Sequence, residues 1–246
     1  MAVSVDTVYQ RVLAILNKEQ RGYITPQEFN LFANQAQLDI FEQYFYDINQ
    51  FGRLPGNSTE FSDMLNILNE KIALCEVKHE LEYSAASEVW NLPATAPSLY
   101  RIGTINLKNG NTNTSGFVEI ERIEFNDSIY ILNSPYTRPT STQPIYVESS
   151  AGYHIYTSVD PTSSSSFTID VHYIKQPTPV QWAYQMVYGE ALYDATNAID
   201  FVDMHPSEET ELVIKILELS GLAIKDIGMY QVANQIEQET LQQEKQ

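Results

Sequence analysis

TPQEFNLFANQAQLDIFEQYFYDINQF, Thr25 to Phe51, is the longest strongly periodic helix signal in the chain. Thr25 can accept from the backbone N–H three residues on, and Glu28 can reach back to the Thr25 backbone. Pro26 fits the first helical position, where its missing donor costs nothing. Phe29, Phe32, Ala33, Ala36, Ile40, Tyr44 and Ile48 recur at steps of three and four and share one face. Leu31, Leu38, Phe41 and Phe45 lie off that stripe, so the apolar surface is wider than one packing contact needs. Such a helix is either central in its own bundle or shared with another chain.

On the N-terminal side, residues 4–19 read as a first helix. Ser4 or Asp6 caps it, and Val5, Val8, Tyr9, Val12, Ile15 and Leu16 form its face. Gly22 stands where a helix C-cap would need it. After the loop RLPGN, Ser58 or Thr59 opens a third helix with Phe61, Met64, Leu65, Leu68 and Ile72 at helical spacing. Three helices with short connections suggest a helical layer.

From about Ala73 to Phe201 the pattern changes to short alternating runs between Gly-, Asn- and Ser-rich separators, which is the strand signature. The expected strands are 74–83, 89–92, 99–106, 117–123, 145–148, 153–157 and 167–174. Residues 124–133 read as a short helix, and 134–144, with Pro135, Pro139 and Pro144, as irregular. Trp182, Tyr184, Met186 and Tyr188 alternate strictly. With Tyr188-Gly189 as a tight turn and 191–193 returning, this is a hairpin rather than a helix. Helical spacing resumes after His205, with Glu208 and Glu209 at the positive end of a helix dipole and Gly221 ending or breaking the helix. A last helix, 230–245, carries a thin stripe of Val232, Ala233, Ile236 and Leu241. It needs a partner surface or frays. The expected fold is α+β: a helical bundle from both chain ends with a central antiparallel β-rich domain. Its parts are 1–72 (helical, first part), 73–203 (β-rich) and 204–246 (helical, second part, with a docking tail).

The 246 residues carry 14 Lys and Arg against 32 Asp and Glu, a net charge of −18. That opposes tight binding to nucleic-acid phosphates and sequence-specific reading, which need a basic surface. It permits DNA to move past a wall that repels phosphate. Sixteen tyrosines and 10 phenylalanines lack the basic residues of a single-strand-binding groove, so they point to core and interface packing. The single cysteine, Cys75, excludes an internal disulfide. No secretory signal and no apolar run of membrane-spanning length is visible. The sequons at Asn57, Asn113 and Asn126 therefore carry no expectation of glycosylation, and a reducing cytoplasm is the expected site of synthesis.

The search for chemistry is mostly negative. Cys75 and His79 stand four apart, but a closed zinc site needs four ligands and no second pair is spaced to supply them. Asp200, Asp203 and His205 form a loose acidic cluster of the kind helix-entry loops also use for capping. Asp170 and His172 share one side of a strand without a nucleophile placed beside them. No phosphate loop, dinucleotide fingerprint, nucleophile elbow or metalloprotease motif occurs. No catalytic residue, metal or cofactor is expected, and an enzyme is not the reading; a cryptic hydrolase using Asp170, His172 or Asp200 is the alternative of a different class.

Four blocks carry a resemblance: VYQRVLAILNKEQRGYITPQEFNLFANQAQLDIFEQYF at 8–45, NSPYTRPTSTQPIYVE at 133–148, IKQPTPVQWAY at 174–184 and HPSEETELVIKILELSGLAIKD at 205–226. Together they resemble structural virion proteins of crAss-like and related tailed bacteriophages, a group similar to the head–tail connector (adaptor or ring) proteins of short-tailed phages. The resemblance implies a homo-oligomeric, twelve-fold ring docked beneath the portal protein and against other tail or ring proteins, with DNA leaving through its channel. It implies residence at the head–tail junction of the virion and no membrane. On this reading Phe32, Phe41 and Phe45 meet the neighbouring subunit, and Tyr230, Ile236 and Leu241 dock on the portal. A tail or capsid-associated position in the virion is the nearer alternative.

Overall fold

The computed structural model describes residues 2–18, 24–51, 64–109, 116–158, 167–223 and 235. Among them are five α-helices: α1 (Val5–Lys18), α2 (Pro26–Phe51), α3 (Met64–Ala73), α4 (Phe125–Asn133) and α5 (Glu209–Ala223). Eleven strands form three sheets. They are β1 (Glu76–Glu80), β2 (Glu82–Ser84), β3 (Val89–Asn91), β4 (Leu99–Asn109), β5 (Phe117–Glu119), β6 (Glu121–Arg122), β7 (Ile145–Ser149), β8 (Gly152–Tyr156), β9 (Phe167–Lys175), β10 (Tyr184–Val187) and β11 (Glu190–Tyr193). The chain divides into two compact units, Met1–Cys75 with Pro177–Gln246, and Glu76–Gln176.

This architecture corrects the expected one. The chain is α+β, but its helices do not close as a bundle from both ends: five α-helices stand beside eleven strands in three sheets among the described residues. Residues 177–203, expected with the central strands, belong to the unit that holds α1, α2, α3 and α5. The centre is not wholly antiparallel, because β6 pairs with β7 in parallel. Helix α4 stands among the strands of the second unit. The physical reason lies in α2, one flank of which is closed by extended backbone rather than by another helix.

The start of α2 is the expected capping box. The Thr25 backbone N–H donates to Glu28 Oε2 at 2.9 Å, the Thr25 hydroxyl to the same oxygen at 2.8 Å, and Glu28 N–H to Thr25 Oγ1 at 3.3 Å. These bonds hold the Glu28 carboxyl below its ordinary range. Phe29, Ala33, Ala36, Gln37, Ile40, Phe41 and Tyr44 are buried, forming one broad stripe. Phe41, expected off the stripe, is 1 % exposed. It follows Ile40 directly and lies four residues beyond Gln37, which places it at the edge of the same arc. Phe32 and Ile48 are only half-buried. Helix α5 packs against both α1 and α2, and α3 against α2. Helix α1 buries Val5, Val8, Tyr9, Val12 and Leu16 and leaves Ile15 exposed. Helix α5 follows a 3-10 turn at Pro206–Glu208 and buries Leu212, Val213, Ile216 and Leu217. It runs through Gly221, which is buried, to Ala223, so Gly221 does not end it.

In the second unit, one sheet has the order β1-β9-β4-β5 and the other β2-β3-β8-β7-β6. The strand pattern in the sequence anticipates most of these segments, but 74–83 and 117–123, each expected as one strand, are divided between the two sheets as β1/β2 and β5/β6. Ile105, Leu107, Ile169, Val171 and Tyr173 from the first sheet meet Trp90, Tyr146 and Tyr153 from the second. The chain crosses between sheets at Leu81, between β1 and β2, and at Ile120, between β5 and β6; both crossing residues are buried.

The β7–β8 turn carries a sharp constraint at Gly152, whose φ is +140°. A Cβ there would stand 2.2 Å from Asn91 Oδ1 and 2.8 Å from the Trp90 carbonyl oxygen. The amide end of Asn91 can move away, but the Trp90 backbone is held in the sheet. Gly152→Ala is therefore expected to cost about 2–4 kcal/mol, the sum of left-handed strain and overpacking. Chemical denaturation followed by circular dichroism measures it; a cost below about 0.5 kcal/mol, the range of an ordinary surface substitution, would show that the turn rearranges freely.

Candidate functional site

The best-defined surface feature of the first unit is the β10–β11 hairpin, and its base is held from several sides. Asn30 and Asn34 stand one turn apart on α2 and face the extended segment 180–182. Asn30 Oδ1 accepts from the Trp182 N–H at 2.8 Å, and its Nδ2 donates to the Trp182 carbonyl at 3.2 Å. Asn34 repeats the pattern on Val180, at 2.8 and 2.9 Å. Four residues of helix advance about 6 Å and two residues of strand about 6.6 Å. The two side-chain amides therefore match alternate residues of the strand and take the place of a neighbouring β-strand.

Trp182 is the centre of the attachment. Its indole N–H donates to Asp6 Oδ1 at 3.0 Å. Its ring lies 4.3 Å from that of Tyr9, which meets Phe29 edge-on at 4.8 Å. On the hairpin side, Tyr184 and Tyr193 stack on it at 5.9 and 5.6 Å. Gln27 Nε2 donates to the Tyr184 hydroxyl. Asp194, just past β11, accepts from Asn197 Nδ2, Gln185 Nε2 and the Thr196 N–H, bonds that hold its carboxyl below the ordinary aspartate range. Burial pushes the Tyr193 hydroxyl up, with Asp200, Asp6 and Asp194 adding to the shift.

The far end of the hairpin is different. Tyr188 and Gly189 form the turn, with φ of 53° and 90°. Two consecutive positive φ values fit the tight hairpin turn expected from the sequence. Met186, Val187, Tyr188 and Leu192 are exposed. In the second unit, α4 presents the reverse of an ordinary amphipathic helix: Ser128 is its buried residue, while Phe125, Ile129 and Tyr130 face solvent, followed by exposed Tyr136. Single exposed apolar residues are normal, but clusters of this kind are what contact surfaces are made of.

The acidic cluster expected at the helix entry is structural. Asp200 Oδ1 accepts from the Val5 N–H at 2.8 Å, and Asp203 Oδ2 from the Thr178 N–H at 2.8 Å. His205 Nδ1 accepts from the Ser207 N–H at the start of the 3-10 turn. Cys75 is buried, and its thiol donates to the Asp203 carbonyl. His79 stands on β1, its ring 6.1 Å from that of Tyr173. Asp170 is paired with Lys78 at 2.7 Å, and His172, two residues on, is exposed. Among the described residues no group of three or more His, Cys, Asp or Glu is placed to hold a metal ion. Among them, too, no helix is long and apolar enough to cross a membrane.

Of the residues expected to meet a neighbouring subunit, Phe32 and Phe45 are half-buried on α2, whereas Phe41 belongs to the core, edge-on to Phe45 at 5.2 Å. Tyr230, Ile236 and Leu241 lie outside the described residues. The hairpin tip was not among the expected contact residues. Its signal was present: a tyrosine at a turn position that favours Asn, Asp or Gly.

No protein-family model matches the chain, and no curated protein matches it.

Proposed function

We propose that this chain is a structural subunit of a tailed-phage virion, a head–tail connector that forms a homo-oligomeric ring under the portal and lines the DNA exit path. The observation that carries the reading is the placement of apolar residues. A chain of net charge −18 leaves aromatic and aliphatic side chains facing solvent at the β10–β11 tip and along α4. Interfaces are enriched in Tyr, Phe and Met and depleted of charge at their centres. An acidic surface suits a channel that DNA must pass without sticking. The sequence resemblance supplies the particular position. In this role Phe32 and Phe45 face the neighbouring subunit, while Phe41 packs edge-on to Phe45 from the core. Tyr230, Ile236 and Leu241 provide the portal contact. The site of synthesis is the host cytoplasm and the final location the virion. The proposed role is structural rather than enzymatic.

The test is native mass, measured for the protein alone and after mixing with the portal protein of the same phage. A defined multi-copy species that joins the portal, and fails to join it after deletion of residues 229–246, is the expected result. Ile236→Glu with Leu241→Glu should abolish portal binding as the deletion does. A protein that is monomeric in both conditions would overturn the connector reading.

A further inference from the structure

We infer that residues 76–176 are an inserted module that unfolds and refolds as a cooperative unit of its own while the first unit stays folded. Asp203 is the latch that closes the first unit where the insertion leaves and returns.

The ends of the module carry the inference furthest. It begins with β1 and finishes just past β9, and these two are antiparallel neighbours with Glu76 opposite Ile174. Partnered Cα atoms on such strands stand about 4.5–5.5 Å apart, so the module starts and finishes at one place. Gln176 is tied down there as well, its N–H donating to the Ser98 carbonyl at 2.9 Å. A domain whose ends lie together can be inserted into another without distorting either. The module also has what separate folding needs. At about 100 residues it is of ordinary domain size. Its two sheets close on a core in which Ile105, Leu107, Ile169 and Val171 are wholly buried, and every residue of that core comes from 76–176.

The first unit is closed across the same gap. Cys75 is its last residue before the module and Pro177 its first after it. Asp203 holds both sides of the break. Its carbonyl accepts from the Cys75 thiol at 3.7 Å, and its Oδ2 accepts from the Thr178 N–H at 2.8 Å. Asp203 is buried, and away from water such bonds are stronger. The helices of this unit pack on one another, α5 on α1 and α2, and α3 on α2. The residues assigned above to assembly, Phe32, Phe45, Tyr230, Ile236 and Leu241, all fall in its two stretches of chain. The consequence for assembly rests on the connector reading: the module can open while the ring stays whole.

The test is scanning calorimetry of the full-length protein, wild type and with two substitutions made separately: Gly152→Ala in the β7–β8 turn and Asp203→Ala at the latch. Heat absorption should resolve into two transitions that respond separately. Gly152→Ala should lower the module's midpoint by on the order of 10 °C and leave the other in place. Asp203→Ala should lower only the other. A single transition that both substitutions move as a whole would overturn the inference, and so would Asp203→Ala acting on the same transition as Gly152→Ala. Hydrogen exchange of the wild type in urea, below its unfolding midpoint, gives a second readout. The slowest amides of β4 and β9 should exchange through an opening that those of α2 and α5 do not share; one common opening would overturn the module. Native mass keeps the two readings apart. Gly152→Ala should retain the wild-type mass. A multi-copy wild type that becomes monomeric in Gly152→Ala would overturn the assignment of assembly to the first unit. A monomeric wild type would overturn the connector reading and leave the module standing.

Discussion

Lys71→Met is expected to destabilise the protein by about 3–5 kcal/mol at pH 7, the cost of leaving a buried charge without its partner. Glu208, at the end of the 3-10 turn before α5, is 2 % exposed. Lys71 on α3 reaches its Oε1 at 2.5 Å, and the Ser207 hydroxyl donates to the same oxygen at 3.2 Å. The Lys71 ammonium also lies 5.5 Å from the centre of the Tyr44 ring. Burial alone would push the Glu208 carboxyl up. A proton shared with the neighbouring Glu211 carboxyl, hydrogen bonds from Lys71 and Ser207, and the Lys71 charge outweigh it, and the net direction is down. The sign of the pH effect follows. A carboxyl held low in the folded state stabilises fully above its unfolded value, about 4.3, and loses that contribution as pH falls through its folded value. Between pH 8 and 5.5 the wild type should therefore show no slope from this group. In Lys71→Met the desolvation dominates and the folded value rises, so the deficit should be greatest at pH 8 and shrink towards pH 5.5. Adding Glu208→Gln should recover most of the loss, because it removes the unpaired charge. Urea unfolding across that range measures all three proteins. A pH-independent deficit, or a double variant no better than the single one, would place the cost in packing rather than charge. The same charges bear on Tyr44, whose hydroxyl is pushed up by burial and then by Glu208 and Glu211.

Asn30→Ala with Asn34→Ala should cost on the order of 3–5 kcal/mol, because the pair strips four hydrogen bonds from the backbone of Val180 and Trp182. Each backbone group left without a partner in a partly buried place costs about 1 kcal/mol or more. The two positions act on alternate residues of one segment, so their effects should not add simply. Asp substitutions discriminate the mechanism. Asn34→Asp keeps an acceptor for the Val180 N–H, but it sets a carboxylate against the Val180 carbonyl, and against the Asn30 carbonyl that Asn34 Nδ2 now meets at 2.7 Å. It should therefore be no better than Asn34→Ala, although a pure volume argument would favour it. Hydrogen exchange at the Val180 and Trp182 amides reports the clamp directly. Both should be protected in wild type and exchange faster in the double variant; unchanged protection would show that the aromatic stack holds the segment without the amides.

The fate of individual residues shows which signals in the chain were readable. Where a segment has one side in a core and the other in water, the periodicity records it. Most of the second unit's strands and the α2 cap were legible for that reason, and so was the hairpin, whose alternation and Tyr188-Gly189 turn are local; the crossings at Leu81 and Ile120, which divide 74–83 and 117–123 between the two sheets, were not. Gly221 misled because a glycine near a helix end carries the same letter whether it caps the helix or is buried within it. Phe41 misled because a wide apolar arc has no sharp edge in a helical projection. The candidate contact surface was only half legible. Alternation in Trp182, Tyr184, Met186 and Tyr188 suggests one buried face, but beyond the Trp182 stack no layer among the described residues covers the ribbon, and Met186, Tyr188 and Leu192 are exposed.

Local chemistry in the sequence by itself determined the capped start of α2, most of the strand segments, the turn at Tyr188-Gly189 and the acidic character, because each depends on neighbours within a few residues; the third helix's start expected at Ser58 or Thr59 and the last helix expected at 230–245 lie outside the described residues, apart from residue 235. The tertiary structure alone decided which segments share a core. It placed residues 177–203 with the helices, since Asn30 and Asn34 meet Val180 and Trp182 across roughly 150 residues of chain, a pairing that no spacing rule encodes. It also decided that Glu208 is buried against Lys71 and that Phe125, Ile129 and Tyr130 are left in water on α4. An apolar letter records affinity for a core; whether a core is there depends on where the rest of the chain goes.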